Sequence, residues 1–253
     1  MDTIGTIRPE ESFCSSESQL EEAVERLKYL VSRKSAGLLV GSSAVQLQTA
    51  TEQLIRSLSE EGQSAQQIHL AGVSVDEFPE LIATELGVRP VRSSRKIDQW
   101  SAISNFASSS KLLPVRRCLI LSGLELVDES LIPALDRILT LIRGTVPVIF
   151  TSWQSLREPL RTVLSQHAWM KVEIGNLSPQ ESVQELAGEL ARKKLDVKLS
   201  ADAAAVAHQL TNGDLNRLRR LAELAAIAAE ADELPIIDAD VLRSLSEEIP
   251  SVA

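Results

Sequence analysis

Gly37-Leu38-Leu39-Val40-Gly41-Ser42-Ser43-Ala44-Val45-Gln46-Leu47-Gln48-Thr49, continuing through Ala50 to Leu58, is the stretch on which the fold turns. Leu38 to Val40 is a short apolar run of the kind a buried parallel strand shows. Gly41 is placed to supply a turn, and Leu47, Leu54, Ile55 and Leu58 then recur at the spacing of one helical face. Strand, tight turn and amphipathic helix form the frame of a phosphate-binding loop, G-x-x-x-x-G-K-[ST]. In that register the first glycine is Gly41, the second falls on Gln46, the lysine on Leu47 and the hydroxyl residue on Gln48. The frame is kept and its chemistry is replaced. A working loop curls backbone N–H groups around phosphate oxygens, while its lysine cancels charge and its hydroxyl holds magnesium. Leu47 cannot neutralise a phosphate, the Gln48 amide is a poor magnesium ligand, and Gln46 resists positive φ. Ala44, Val45 and Leu47 instead offer apolar side chains where a polar hollow would lie. Leu47 is therefore expected to be at least partly buried, near the strand ends at Leu121 and Phe150. Taken alone, the stretch is also explained by an ordinary strand–helix corner of an α/β domain.

The 253 residues suffice for one large domain or a core with a smaller appendage, and the apolar fraction of 44% supplies a sizeable core. Aromatic residues make up only 3%, so leucine and alanine do the filling, as in helix-rich proteins. The formal charge of −9 disfavours non-specific binding to nucleic acid or to an anionic membrane. Cys14 and Cys118 make neither a disulfide framework nor a metal site, and Cys118, in an apolar run, reads as a core residue. His69, His167 and His208 show no ligand spacing. The opening Met1 to Phe13 lacks the basic-then-apolar pattern of a signal peptide, and no apolar run reaches the length of a membrane span. A cytoplasmic location without membrane insertion is the expectation.

Along the chain, residues 1–17 are polar and read as a flexible arm, residues 18–176 as an α/β core, and residues 177–253 as a helical unit. Gln19 to Val31 is a helix with Leu20, Ala23, Leu27 and Leu30 on one face. Gln67 to Leu70 predicts a strand, Ser74 to Leu86 a helix closed by Gly87, Val88 to Asp98 an arginine-containing loop, and Gln99 to Ser110 a helix. Cys118 to Leu121 is a short buried strand, Leu131 to Arg143 an amphipathic helix, Val146 to Phe150 a strand, Gln154 to Leu164 a helix and Lys171 to Ile174 the final strand. Strands alternating with helices predict a parallel sheet covered on both faces. From Leu177 the pattern is helical only. Ser178-Pro179-Gln180-Glu181 has the makings of a capped helix start, and Ser200 to Leu210, Asp214 to Glu230 and Asp238 to Glu247 follow.

This order resembles the AAA+ ATPase family, and within it the general secretion pathway protein A type, to which transposition ATPases are related. The likeness rests on Leu20 to Leu58, Leu119 to Leu126, Val148 to Leu156, Ile174 to Glu181, and Asn212 to Leu218. It implies a P-loop NTPase-like parallel sheet sandwiched by helices, followed by a small all-helical lid. The residues that the resemblance would make functional are mostly replaced. The acidic pair expected after the strand Cys118 to Leu121 falls on Ser122 and Gly123; Glu125, two residues on, is the nearest carboxylate and reads as a solvated acid. The polar sensor after the next strand falls on Thr151 or Ser152. The arginine inserted into a neighbour's site would correspond to about His167, which reads as an ordinary surface histidine. The second sensor's arginine falls on Asn216, with Arg217 one place off.

Lysine, magnesium ligand, acidic pair and arginine each stabilise a transferring phosphoryl group, and an arginine finger alone is worth roughly 10³–10⁵ in rate in GTPases. Their joint replacement points away from an enzyme and towards a non-catalytic scaffold or regulatory subunit with a protein partner, such as a catalytically active AAA+ subunit. No cofactor is expected, although Gly41 with Ser42 and Ser43 leaves room for weak ATP binding. A weak or partner-dependent ATPase and a DNA-associated adaptor are the alternatives. The adaptor would use the basic residues of the lid, Arg192, Lys193, Lys194, Arg217, Arg219 and Arg220. Glu185, Glu189, Glu223 and Glu230 offset them, so nucleic acid is not the expected partner. Arg89, Arg92, Arg95 and Lys96 offer a loop surface for an acidic partner. Trp100, Trp153 and Trp169 read as core or subunit-contact residues.

Overall fold

The computed structural model describes residues 15–88, 96–114, 117–193, 198–232 and 234–247. Most of the expected arm lies outside them, as do Cys14, Arg89, Arg92, Arg95 and Lys194. The chain forms two compact units, one of Glu22–Ile174 and one gathering the residues up to Glu21 with the chain from Gly175 onward.

Helix α1 (Ser15–Ser32) is shared by the two units, and the first continues with strand β1 (Ala36–Gly41), α2 (Ala44–Glu60), β2 (Ser64–His69), α3 (Phe78–Glu85) and α4 (Lys96–Ser110). It continues with β3 (Arg117–Ser122), α5 (Ile132–Ile142), β4 (Val148–Ser152), α6 (Glu158–His167) and β5 (Ala168–Ile174). The five strands form one parallel sheet in the order β2-β3-β4-β1-β5. The central strands β3 and β4 are buried almost throughout, as the uninterrupted apolar runs require of a sheet covered on both faces. The edge strand β5 alternates between exposed and buried residues. Phe78, Ile82, Leu119, Leu135, Ile138 and Phe150 belong to the core that helices and sheet share, and Cys118 is fully buried, its thiol pushed up to about 12 by desolvation. Gly37 brings β1 tight against α1: a methyl there would meet Leu30 Cδ1 at 2.2 Å.

Several element boundaries differ from expectation for local reasons. Pro147 has no N–H for the ladder, so β4 starts at Val148 and carries Thr151 and Ser152 inside the strand instead of after it. Helix α6 starts at Glu158 with Pro159 in its first turn; before it, Trp153 N and the Ser152 hydroxyl are held by hydrogen bonds. Ser74 and Glu77 pair with each other ahead of α3, which begins only at Phe78, with Pro79 in its first turn. Gly41 closes β1, and the turn itself falls to Ser42 and Ser43, none of the three at positive φ.

The second unit holds α7 (Pro179–Arg192), β6 (Lys198–Leu199), α8 (Ala201–Thr211), α9 (Leu215–Ala231), β7 (Ile236–Ile237) and α10 (Ala239–Glu247). Its helices bury Leu186, Leu190, Val206, Leu218, Leu221 and Leu242. Ser178 and Glu181 form a reciprocal capping box on α7 with Pro179 in the first turn. The unit is not purely helical: β6 and β7 pair in parallel over two residues each, too short a run to leave any alternation in the sequence. Gly213, at φ 69°, lies so close to Leu177 that an added methyl would sit 2.2 Å from its carbonyl oxygen, and Leu177 N donates to Gly213 O at 2.8 Å.

Candidate functional site

In the strand order β2-β3-β4-β1-β5 the chain leaves β1 towards the far edge and leaves β4 in the opposite direction. Open α/β sheets place ligands where such connections diverge, beyond the carboxyl ends of the strands. Here that end carries Gly41 to Gln48, Ser122 and Gly123, and Thr151 and Ser152.

The β1–α2 corner is closed by the chain itself. Helix α2 starts at Ala44, so Gln46 lies in its first turn with helical backbone, where a phosphate loop would have a glycine. Its side-chain oxygen turns back on the loop: Ser42 N donates to Gln46 Oε1 at 3.0 Å, and Ser42 Oγ donates to the same oxygen at 2.9 Å. Ser43 is the helix cap, its hydroxyl accepting from Gln46 N at 3.3 Å, while Leu47 N donates to Ser43 O at 3.2 Å. The N–H groups that would face a phosphate are thus partly satisfied internally.

Leu47 is 5% exposed and packs on the end of β1, close enough that a methyl on Gly41 would meet its Cδ2 at 2.9 Å. Ala44 and Val45, expected to share that filling, are exposed instead. Gln48 points away: its Nε2 donates to Glu52 Oε1 at 2.9 Å along the surface of α2.

At the end of β3, Ser122 Oγ lies 3.3 Å from His69 Nδ1 and donates at 3.4 Å to Ile68 O, so the hydroxyl faces the neighbouring edge strand β2. Gly123 sits at φ 72°, and a methyl there would lie 2.5 Å from the His69 ring. An acidic residue at this position would need both a left-handed backbone and displacement of that ring. Glu125 is half-buried, and its Oε1 accepts from Trp153 N at 2.7 Å, tying the segment after β3 to the one after β4. In β4, Thr151 is paired in register with Leu39, and the Ser152 hydroxyl donates to Gln154 O at 2.8 Å.

His167 is not a surface histidine. Its side chain is 7% exposed, and Nε2 lies 2.8 Å from Asp136 Oδ1. Of the tryptophans, Trp100 packs against the core with Arg137 4.2 Å above its ring, but Trp153 and Trp169 are exposed.

In the second unit, Asn216 lies in the first turn of α9, which Asp214 caps by accepting from Arg217 N at 2.8 Å. It borders a cavity of about 460 Å³ with Glu189, Lys193, Arg219 and Arg220. Much of the basic cluster there is matched by acids: Arg219 lies 2.9 Å from Glu185 and 3.1 Å from Glu189, Arg192 2.7 Å from Glu189, and Lys193 3.6 Å from Glu223. Among the described residues no group of three or more His, Cys, Asp or Glu side chains could hold a metal ion, and no helix is long and apolar enough to cross a membrane.

The side-chain clasp by Gln46, the His69 cover over Gly123 and the Glu125 tie were not foreseen from the sequence. Only the polar Gln46 in a glycine's place gave a hint of the first.

No protein-family model matches the sequence, and no curated protein is similar to it. Solved structures are similar over most of the chain. Cdc6p from Pyrobaculum aerophilum superposes with a TM-score of 0.62 at 13% identity, covering 96% of this chain and 70% of that one. The RuvB Holliday junction branch migration motor of Thermotoga maritima gives 0.57 at 13% identity, covering 94% and 69%. The ORC2 protein of Aeropyrum pernix, solved in ADPNP–ADP complexes, gives 0.56 at 14% identity, covering 98% and 71%. All three are AAA+ ATPases, and at these identities the likeness is one of fold. The chain has the P-loop NTPase-like α/β fold of the AAA+ ATPases.

Proposed function

We propose that this chain is a catalytically degenerate AAA+-like protein that acts as a scaffold or regulatory subunit through protein–protein contacts. The observation that carries the reading is the clasp at the β1–α2 corner, where Gln46 Oε1 takes the Ser42 N–H that a phosphate oxygen would need. The surroundings agree with it. Leu47 lies buried in the lysine position, Gln48 pairs with Glu52 on the helix surface, and Gly123 is covered by His69. Phosphoryl transfer depends on positioning and on charge stabilisation by metal, lysine and arginine, and none of these residues supplies it.

The general secretion pathway protein A type is the member of the family that the sequence motifs favour. A catalytically active AAA+ subunit fits as partner, since a degenerate copy of the fold retains the surfaces by which related chains could meet. The ion-paired state of Arg192, Lys193 and Arg219, with a net charge of −9, supports a protein partner over nucleic acid.

Calorimetric titration with Mg·ATP tests the catalytic half. The expected result is no saturation below the millimolar range and no rise in melting temperature, because a ligand far below its Kd stabilises by well under about 1 kcal/mol. Micromolar binding, or magnesium-dependent turnover, overturns the reading.

A further inference from the structure

A second concave site lies at the opposite end of the sheet, at the amino ends of β4, β1 and β5, within the first unit. It encloses about 410 Å³ and is floored by Leu139, Ile142 and Val146, all buried. Around its mouth stand Arg33, Arg143 and Trp169. The volume falls in the range of small-molecule sites, about 300–1,000 Å³, and an apolar floor with a few convergent polar groups is how such sites are built.

The charges facing this cavity are of one sign. Arg33, Lys34 and Arg143 line it, and no acidic residue does. Lys34 is already engaged: its Nζ donates to Lys111 O at 3.0 Å and to Leu113 O at 2.6 Å. Among the described residues neither Arg33 nor Arg143 has a carboxylate partner.

Arg33 is nonetheless held in place, 5.7 Å from the centroid of Tyr29 and 5.9 Å from that of Trp169. Those rings lie 6.0 Å apart, and Trp169 is 59% exposed. In a chain of net charge −9, two arginines without acids beside an open cavity of mixed lining and an exposed indole make a local site for an anion with an apolar body. The planar fork of arginine suits a carboxylate or sulfonate, and the indole face suits a flat ring.

We propose that this cavity binds a small amphipathic organic anion, its apolar body on Leu139, Ile142 and Val146 against Trp169, and its carboxylate or sulfonate on Arg33 and Arg143. The site is independent of the nucleotide question, since none of its residues belongs to the β1–α2 corner.

Naphthalene-2-sulfonate is the probe. Titrated into the full chain by calorimetry, it is expected to bind one-to-one with saturation below about 1 mM and to shift the Trp169 indole resonance in NMR spectra. Arg33→Gln and Arg143→Gln should each weaken binding by about tenfold, and the neutral naphthalene-2-sulfonamide should bind at least about tenfold worse than the sulfonate. Arg161→Gln, on the exposed face of α6 beside Glu158, should leave the affinity unchanged. All three side chains are at the surface, so the variants are expected to fold, and circular dichroism checks that they do. Absence of saturation up to about 5 mM overturns the proposal. So does an unmoved Trp169 resonance, or binding that survives both arginine substitutions intact.

Discussion

Replacing Leu47 by lysine restores the residue type that a phosphate loop would carry, and the structure says it should damage the corner. Leu47 is 5% exposed and its Cδ2 rests on Gly41. Withdrawing a buried leucine side chain costs about 1.5–3 kcal/mol in lost burial. An ammonium in the first turns of α2 meets the positive end of the helix dipole, adding about 0.3–1 kcal/mol. The long lysine stem recovers part of the loss by reaching towards water. The expected net cost is about 2–3 kcal/mol. For a unit of this size that corresponds to a fall in Tm of roughly 4–12 °C. The conservative variant Leu47→Met should cost less than about 1.5 kcal/mol. Urea denaturation of the three proteins, followed by circular dichroism, measures the difference, and Mg·ATP added to the lysine variant should not return the lost stability. A lysine variant that melts with the parent, or that Mg·ATP stabilises, would refute the reasoning: the corner would then be an open phosphate site in which Leu47 is incidental.

Other expectations follow from single contacts. Gln46→Ala removes the acceptor of Ser42 N and Ser42 Oγ and should cost about 1–2 kcal/mol in urea denaturation, with no change in the far-ultraviolet spectrum. Gly213→Ala forces an L-residue to φ 69° and sets its methyl 2.2 Å from Leu177 O, whereas Gly62→Ala, at φ 75°, meets nothing within 4 Å; the first should destabilise by more than about 2 kcal/mol and the second by about 1–2 kcal/mol. Glu77 is held below its ordinary value by hydrogen bonds from the Ser74 hydroxyl and N–H. Its contribution is therefore present above the unfolded carboxylate value of 4.5 and is lost as pH falls through the lower folded value. Glu77→Gln should flatten the stability profile there, which acid titration of the denaturation midpoint would reveal.

The sheet was legible because its central strands are buried on both faces. Leu119 to Leu121 and Val148 to Phe150 stand out as apolar runs between helical patterns, and no other element type explains runs so short. The strand and helix ends were less legible, because they depend on groups that bond across the fold. Nothing in the sequence around Gln154 announces that Trp153 N is held by Glu125, 28 positions away. The site divides in the same manner. That Leu47 is an apolar residue in a lysine's position is a matter of register and could be read directly. That Gln46 folds back on Ser42 is a matter of side-chain conformation and could not. Tyr29, Arg33 and Trp169 lie on α1, in the connection after it and on β5, so their cluster appears only when β1 and β5 pair.

The clasp also bears on why the replacements at this corner belong together. A phosphate loop that works keeps donors turned towards an empty hollow, and its glycines hold backbone conformations that other residues reach only with strain. Once no phosphate has to be bound, those unsatisfied donors are a standing cost of about 1–3 kcal/mol for each one buried. Gln46 relieves that cost by presenting an oxygen from its own helix, and with that residue in place the helix can begin early, at Ala44. An early helix carries position 47 onto the core side of α2, where leucine is stable and lysine is not. It carries position 48 onto the solvent side, where a glutamine pairs with Glu52. The three residues therefore support one arrangement of the corner, and changing any one of them alone leaves the other two opposing the change. The same logic holds at β3, where Gly123 adopts φ 72° beneath His69: a side chain there would have to displace a ring before it could reach a ligand.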